Sequence, residues 1–168
     1  RQYVDKTDIV WQIVNQGDQY NYLSRPRRFG KSILVDTLQC YLEGRKELFE
    51  GLKIMQQEKE WIKYPVIRLD MSGAGTTAQQ LTSFFEDSFE EYEKKYGIIT
   101  PPKSLSKRFK NIIMTAREQS GQKVAVLVDE YDSPLQHSWQ TPQHEECTEV
   151  YRTVFAMSAA EGNHIHLP

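Results

Sequence analysis

Apolar residues recur along the 168-residue chain at strand and helix spacings in alternation. Ile9, Val10, Ile13 and Val14 follow Thr7, which reads as the cap of a short helix stopped by Gly17. Residues 20–23 read as a strand. From Gly30, a helix carries Ile33, Leu34, Leu38, Tyr41 and Leu42 on one side and ends at Gly44. Residues 65–69 form the second strand, with Pro65 at its start, where a missing N–H is tolerated. A helix over 78–96 follows, with Leu81, Phe85, Phe89, Tyr92 and Tyr96 in helical period and Gly97 as its stop. That aromatic stripe is a core face, and the acidic run from Glu86 to Glu93 is its solvated side. After Pro101 and Pro102, a second helix carries Leu105, Phe109, Ile112, Ile113 and Ala116 up to Gly121.

Residues 124–128, Val-Ala-Val-Leu-Val, are continuously apolar, as in a strand covered on both faces. Pro134 and Pro142 bracket an expected loop. Thr141 and Pro142 read as cap and first residue of a helix with Cys147, Val150, Tyr151, Val154 and Phe155 on its apolar side. His164-Ile165-His166-Leu167 begins another strand. Strands alternating with helices predict an α/β domain with a mostly parallel sheet, and ligands in such sheets sit beyond the carboxyl ends of the strands.

Composition narrows the class. Charged residues are 26 % and the apolar set 39 %, as in globular domains. A net charge of −2 supplies no broad basic field for nucleic acid or membranes, and no 18-residue apolar run spans a bilayer. Cys40 and Cys147 are too few and too far apart for a disulfide framework, so a reducing cytoplasm is the expected location. The chain begins with Arg1, which suggests a piece of a longer polypeptide.

Two motifs carry chemistry. After the first strand stands Ser24-Arg25-Pro26-Arg27-Arg28-Phe29-Gly30-Lys31-Ser32, whose end matches the Walker A pattern G-x-x-x-x-G-K-[ST]. Gly30 lets backbone approach a phosphate, and the helix start aims N–H groups at it. Lys31 would reach the outer phosphates, and the Ser32 hydroxyl would ligate Mg²⁺. The leading glycine of the pattern is replaced by Arg25, and Pro26 stiffens the loop. The second motif is the apolar strand running into Asp129-Glu130, a Walker B pattern. Asp129 would orient Mg²⁺ and Glu130 would polarise an attacking water as general base.

These residues, with Tyr3-Val4-Asp5-Lys6-Thr7, Leu48-Phe49-Glu50-Gly51-Leu52, Tyr64-Pro65-Val66-Ile67 and Tyr131-Asp132-Ser133-Pro134, make the chain similar to the AAA-ATPase-like family of bacterial proteins. The resemblance covers nearly all of the chain. It implies a three-layer P-loop NTPase fold, ATP and Mg²⁺ as cofactors, and probable hydrolysis. Its nucleotide contacts would be Arg28, Phe29, Gly30, Lys31, Ser32 and Ile33, with Lys31 and Glu130 catalytic and Ser32 and Asp129 on the metal. It also implies that the strand at 164–167 inserts between the Walker A and Walker B strands. The chain would then be truncated at that fourth strand, leaving backbone unpaired in the middle of the sheet. Longer members often carry a C-terminal domain similar to PD-(D/E)xK nucleases, which would bring a nucleic-acid partner. Homo-oligomers are a further expectation, and no membrane partner is expected.

Other residues are open to two readings. Arg25, Arg27 and Arg28 either meet phosphate or pair with carboxylates that fix the loop. Tyr3, Asp5 and Lys6 lie either on the base side of the nucleotide, as the family position suggests, or serve chain entry and helix capping. Asp70 and Asp132 either support Mg²⁺ from one shell out or cap loops. His144 with Cys147, and His164 with His166, have metal-ligand spacings but no supporting motif. Rival functions are a nucleotide-dependent switch with little hydrolysis, a small-molecule kinase, and a nucleic-acid module using the basic loop. Glu130 directly after Asp129 favours water activation over the kinase.

Overall fold

The computed structural model describes residues 4–15, 20–22, 31–158 and 163–166. Four strands, β1 (Tyr20–Tyr22), β2 (Val66–Asp70), β3 (Ala125–Asp129) and β4 (Asn163–His166), form one parallel sheet in the order β1-β4-β3-β2. The fourth strand in the chain therefore lies between the first and third, as the family resemblance implies. The expected gap in the middle of the sheet is not there. β4 pairs with β1 from Tyr20↔His164 to Tyr22↔His166, and with β3 from Ala125↔Asn163 to Val128↔His166. All three residues of β1 and four of the five in β3 have neighbours in β4.

The helices are α1 (Thr7–Asn15), α2 (Lys31–Leu42), α3 (Ile54–Gln57), α4 (Ala78–Lys95), α5 (Leu105–Ser120), α6 (Ser133–Ser138) and α7 (His144–Ser158). Side chains alternate across a strand, so Val66, Ala125 and Leu127 face one way and Ile67, Leu69, Val126 and Val128 the other. The first set packs with Val10 of α1, Val35 and Leu38 of α2, and Phe49, Ile54 and Trp61 from the connection that follows. The second packs with Leu81, Phe85 and Phe89 of α4, Phe109, Ile112 and Ile113 of α5, and Tyr151 and Phe155 of α7. Two helical layers thus cover a central sheet, and every residue of β3 is buried. The aromatic stripe of α4 is core: Phe89 stacks on Phe109 at 5.1 Å, and Phe85 meets Phe155 edge-on at 5.7 Å.

Caps and turns explain the element ends. Thr77 and Gln80 form a reciprocal capping box on α4, and Ser104 accepts from Lys107 N–H at the start of α5. At the end of α2, Gly44 N–H donates to the Tyr41 carbonyl and Arg45 N–H to the Cys40 carbonyl, a Schellman closure with Gly44 at φ +71°. α4 closes the same way through Gly97 and Ile98.

Three local expectations are corrected. Thr7 is the first residue of α1, not its cap; Asp5 Oδ1 accepts from both the Thr7 N–H (3.0 Å) and its hydroxyl (2.7 Å). Regular helix begins at His144 and not at Pro142, although Thr141 Oγ1 still accepts from Gln143 N–H. The segment after Pro134 is helical, because proline is tolerated in a first helical turn where its N–H is not needed. Ile33 also departs from the apolar stripe of α2: it is 55 % exposed.

The outer edge of the sheet on the β2 side is closed by a side chain. The Arg68 N–H donates to the Tyr92 hydroxyl (2.8 Å), which donates in turn to the Arg68 carbonyl (3.2 Å).

Candidate functional site

The parallel sheet brings the carboxyl ends of its strands to one rim. Tyr22 of β1 and Val128 of β3 both align with His166 of β4, and Asp70 aligns with Asp129. Asp129 is therefore two strands, about 10 Å, from the end of β1. The chain leaving β1 re-enters described structure at Lys31, the first residue of α2, with Ser32 second. Arg28, Phe29 and Gly30, with Arg25 and Arg27, lie outside the described residues. Ile33 sits in the first turn of α2 with its side chain exposed.

Asp129 ends β3 and is 7 % exposed. By strand alternation it shares a sheet face with Leu127 and Ala125, the face covered by α2. Arg68 lies on the same face of β2. Its Nη1 donates to Asp36 Oδ1 (2.6 Å) and Gln39 Oε1 (3.0 Å), both on α2, and its Nη2 is 3.9 Å from Asp129 Oδ2. One guanidinium thus spans from the helix that opens at Lys31 to the acidic tip of β3. A hard carboxylate on this face, next to a helix N-terminus, is the donor chemistry that Mg²⁺ and phosphate take.

Glu130 has φ +53°, in the left-handed region that side-chain-bearing residues seldom adopt. The turn it starts is held from several sides. The Glu130 carbonyl accepts from Ser133 N–H (3.0 Å), and the Tyr131 carbonyl accepts from the Tyr151 hydroxyl (2.6 Å). The Tyr131 ring packs edge-on against Tyr151 at 4.9 Å. Burial pushes the Tyr151 phenol far up, so it stays a donor.

The less specific candidates have structural partners. Asp5 Oδ2 accepts from Lys53 N–H and Thr7 Oγ1 from Ile54 N–H, so the Asp5–Thr7 pair ties the start of α1 to the start of α3. Asp70 accepts from Ser72 N–H and caps a short turn, while Asp132 accepts from the Gln136 amide. His144 Nδ1 meets Ser138 Oγ at 3.3 Å, and Cys147 Sγ lies 3.8 Å from the Thr76 carbonyl. Arg68 is the residue that motif reading passes over. Its signal is a lone cation inside an apolar strand, on the same face as Asp70.

Among the described residues, no helix is long and apolar enough to cross a membrane. No solved structure matches the chain. A protein of Azotobacter chroococcum mcd 1, described as an uncharacterized protein in the vnfD 5′ region, is 37 % identical over 142 residues. That match covers 84 % of this chain and 27 % of the relative, so the chain spans about a quarter of that protein's length. The family described as "Predicted AAA-ATPase" matches residues 1–167, and with the α/β sheet and its acidic tip in view, the chain belongs to the AAA-ATPase-like family.

Proposed function

We propose that this chain is a P-loop NTPase core that binds Mg·ATP and hydrolyses it. The observation that carries this is Glu130: a carboxylate in strained backbone, directly after Asp129 at the tip of a wholly buried parallel strand. Strain of this kind costs on the order of 1–3 kcal/mol and collects at functional sites. The strand order β1-β4-β3-β2, with α2 opening beyond β1, also supports a P-loop arrangement.

In this reading the loop residues Arg28, Phe29 and Gly30, with Lys31, Ser32 and Ile33, hold the triphosphate, Lys31 as its cationic contact. Ser32 and Asp129 hold Mg²⁺. Bound there, the metal would neutralise charge on the β- and γ-phosphates. Glu130 accepts a proton from water and aims it, its backbone fixed by the Tyr131–Tyr151 clamp. The activity and partners of any longer protein containing this chain, including nucleic acid and further copies of itself, belong to the same proposal.

The test is nucleotide binding and phosphate release with three proteins. The parent chain is expected to bind ATP in a Mg²⁺-dependent way. Lys31→Ala is expected to lose that binding, and Glu130→Gln to keep it while losing phosphate release. Unchanged ATP affinity in Lys31→Ala refutes the phosphate assignment. Binding without phosphate release by the parent chain marks a switch and not an ATPase.

A further inference from the structure

Arg68 is placed where neither motif reaches. It sits mid-strand on β2, an edge strand otherwise apolar from Val66 to Leu69, with its side chain largely covered. Its contacts are unequal. Asp36 and Gln39 hold one amino group at 2.6 and 3.0 Å, so the guanidinium is anchored to α2. The other amino group approaches Asp129 only to 3.9 Å, a distance that attracts the carboxylate without a direct hydrogen bond. Asp36 lies four residues, one helical turn, after Ser32. The guanidinium therefore stands between a carboxylate on the phosphate-loop helix and the carboxylate at the end of β3.

Two carboxylates grouped on one buried face would ordinarily gather a divalent cation by themselves. A fixed positive charge between them opposes this, because like charges repel strongly where water is scarce. Asp36 is mostly exposed, and its bond keeps the arginine from closing fully on Asp129. The arrangement leaves Asp129 attracted but available.

Resting on the Mg·ATP reading above, we propose that Arg68 is a positioning residue that reserves Asp129 for metal arriving with nucleotide. It does so by suppressing capture of free divalent cation by Asp129 and Asp36. Arginine suits the task because its planar fork can hold α2 with one amino group and face Asp129 with the other.

The test begins without nucleotide. The 168-residue chain and its variants are titrated with Mn²⁺, and free Mn²⁺ is followed by electron paramagnetic resonance. Arg68→Gln is expected to bind Mn²⁺ at least about tenfold more tightly than the parent chain. Arg68→Lys, which keeps the charge, stays within about twofold of the parent. The double variant Arg68→Gln with Asp129→Asn loses the gain. Equal Mn²⁺ affinity in Arg68→Gln and the parent overturns the proposal, as does a gain that survives Asp129→Asn or appears equally in Arg68→Lys. A purely structural role for Arg68 would produce none of this charge-dependent pattern.

Should Arg68→Gln fail to fold, the exposed Asp36→Asn decides. Releasing the guanidinium onto Asp129 is expected to raise the Mg²⁺ concentration needed for half-maximal ATP binding by about fivefold, and an unchanged requirement overturns the proposal. The Mn²⁺ titration needs no nucleotide, so the two readings fail separately. A parent chain that binds no ATP but shows the Mn²⁺ pattern loses the ATPase assignment and keeps the shielding role.

Discussion

Glu93 of α4 and Arg108 of α5 meet through two hydrogen bonds, Nε to Oε2 at 3.2 Å and Nη2 to Oε1 at 2.5 Å, with both side chains largely out of water. Arg108 also donates to the Glu86 carbonyl, so a single guanidinium staples two helices of one layer. Removing one member strands the other charge in a poorly solvated place. Glu93→Ala is expected to lower unfolding stability by about 3 kcal/mol. Replacing both residues with apolar ones, Glu93→Leu with Arg108→Met, should recover most of the loss. Urea unfolding of the single and double variants measures both.

Two glycines separate the cost of backbone conformation from the cost of space. Gly44 and Gly97 both end helices at φ +71°. A Cβ on Gly97 would meet open space, whereas one on Gly44 would stand 2.9 Å from the Trp61 carbonyl oxygen. Gly97→Ala is expected to cost about 1 kcal/mol, the left-handed penalty alone. Gly44→Ala should cost at least about twice that, because the β-carbon strikes fixed backbone. The difference between the two denaturation midpoints is the measurement.

Acid is expected to loosen the α1–α2 layer through Glu58. Burial raises its pKa, but hydrogen bonds from the Tyr41 hydroxyl and from the N–H groups of Glu60 and Trp61 outweigh burial, and the carboxyl ends below its usual 4.5. A lowered native pKa contributes stability that is present above the unfolded value and lost as pH falls through the native one. Asp5, lowered by its bonds from Thr7 and Lys53 against a burial effect in the other direction, acts in the same sense. Stability followed from pH 7 down to pH 3 should therefore fall below about pH 4.5. Glu58→Gln should flatten part of that decline, and a variant as acid-sensitive as the parent contradicts the assignment.

The backbone at Glu130 should be costly to the fold. Glycine accepts φ +53° without strain, so Glu130→Gly is expected to gain up to about 1 kcal/mol of stability while losing phosphate release. Thermal unfolding read beside phosphate release tests both halves. A destabilised Glu130→Gly protein would mean that the side chain itself holds the turn together.

The parts of this fold that can be read from sequence are those whose signal is local. Residues 124–128 are apolar without interruption because β3 is covered by helices on both faces, and the phases of Phe85, Phe89, Phe109 and Phe155 follow from single helices. The strand order comes from family likeness, since nothing in the residues 163–166 names their neighbours. What escapes reading depends on pairing across distance. Asp5 caps α1 while also holding Lys53 N–H, 48 residues on. Arg68 finds Asp36 and Gln39 upstream and Asp129 downstream, so no window of sequence contains the set. The helix after Pro134 is hidden because its two flanking prolines look like loop punctuation. Ile33 misleads in the opposite direction: its apolar character fits the stripe, and its angular position on α2 does not.

Tyr92 gives the sheet a direction of growth. A strand at a sheet margin normally offers a free donor and acceptor to any passing chain, and this is how folded domains come to stick to one another. On β2 the Arg68 pair of groups is already satisfied by one phenol, and burial keeps that phenol protonated and able to serve both. A visiting strand would have to displace an anchored aromatic side chain of α4 to add there. The β2 margin is thereby guarded against intermolecular pairing, and enlargement of the sheet is directed to the β1 margin, beside the start of α2.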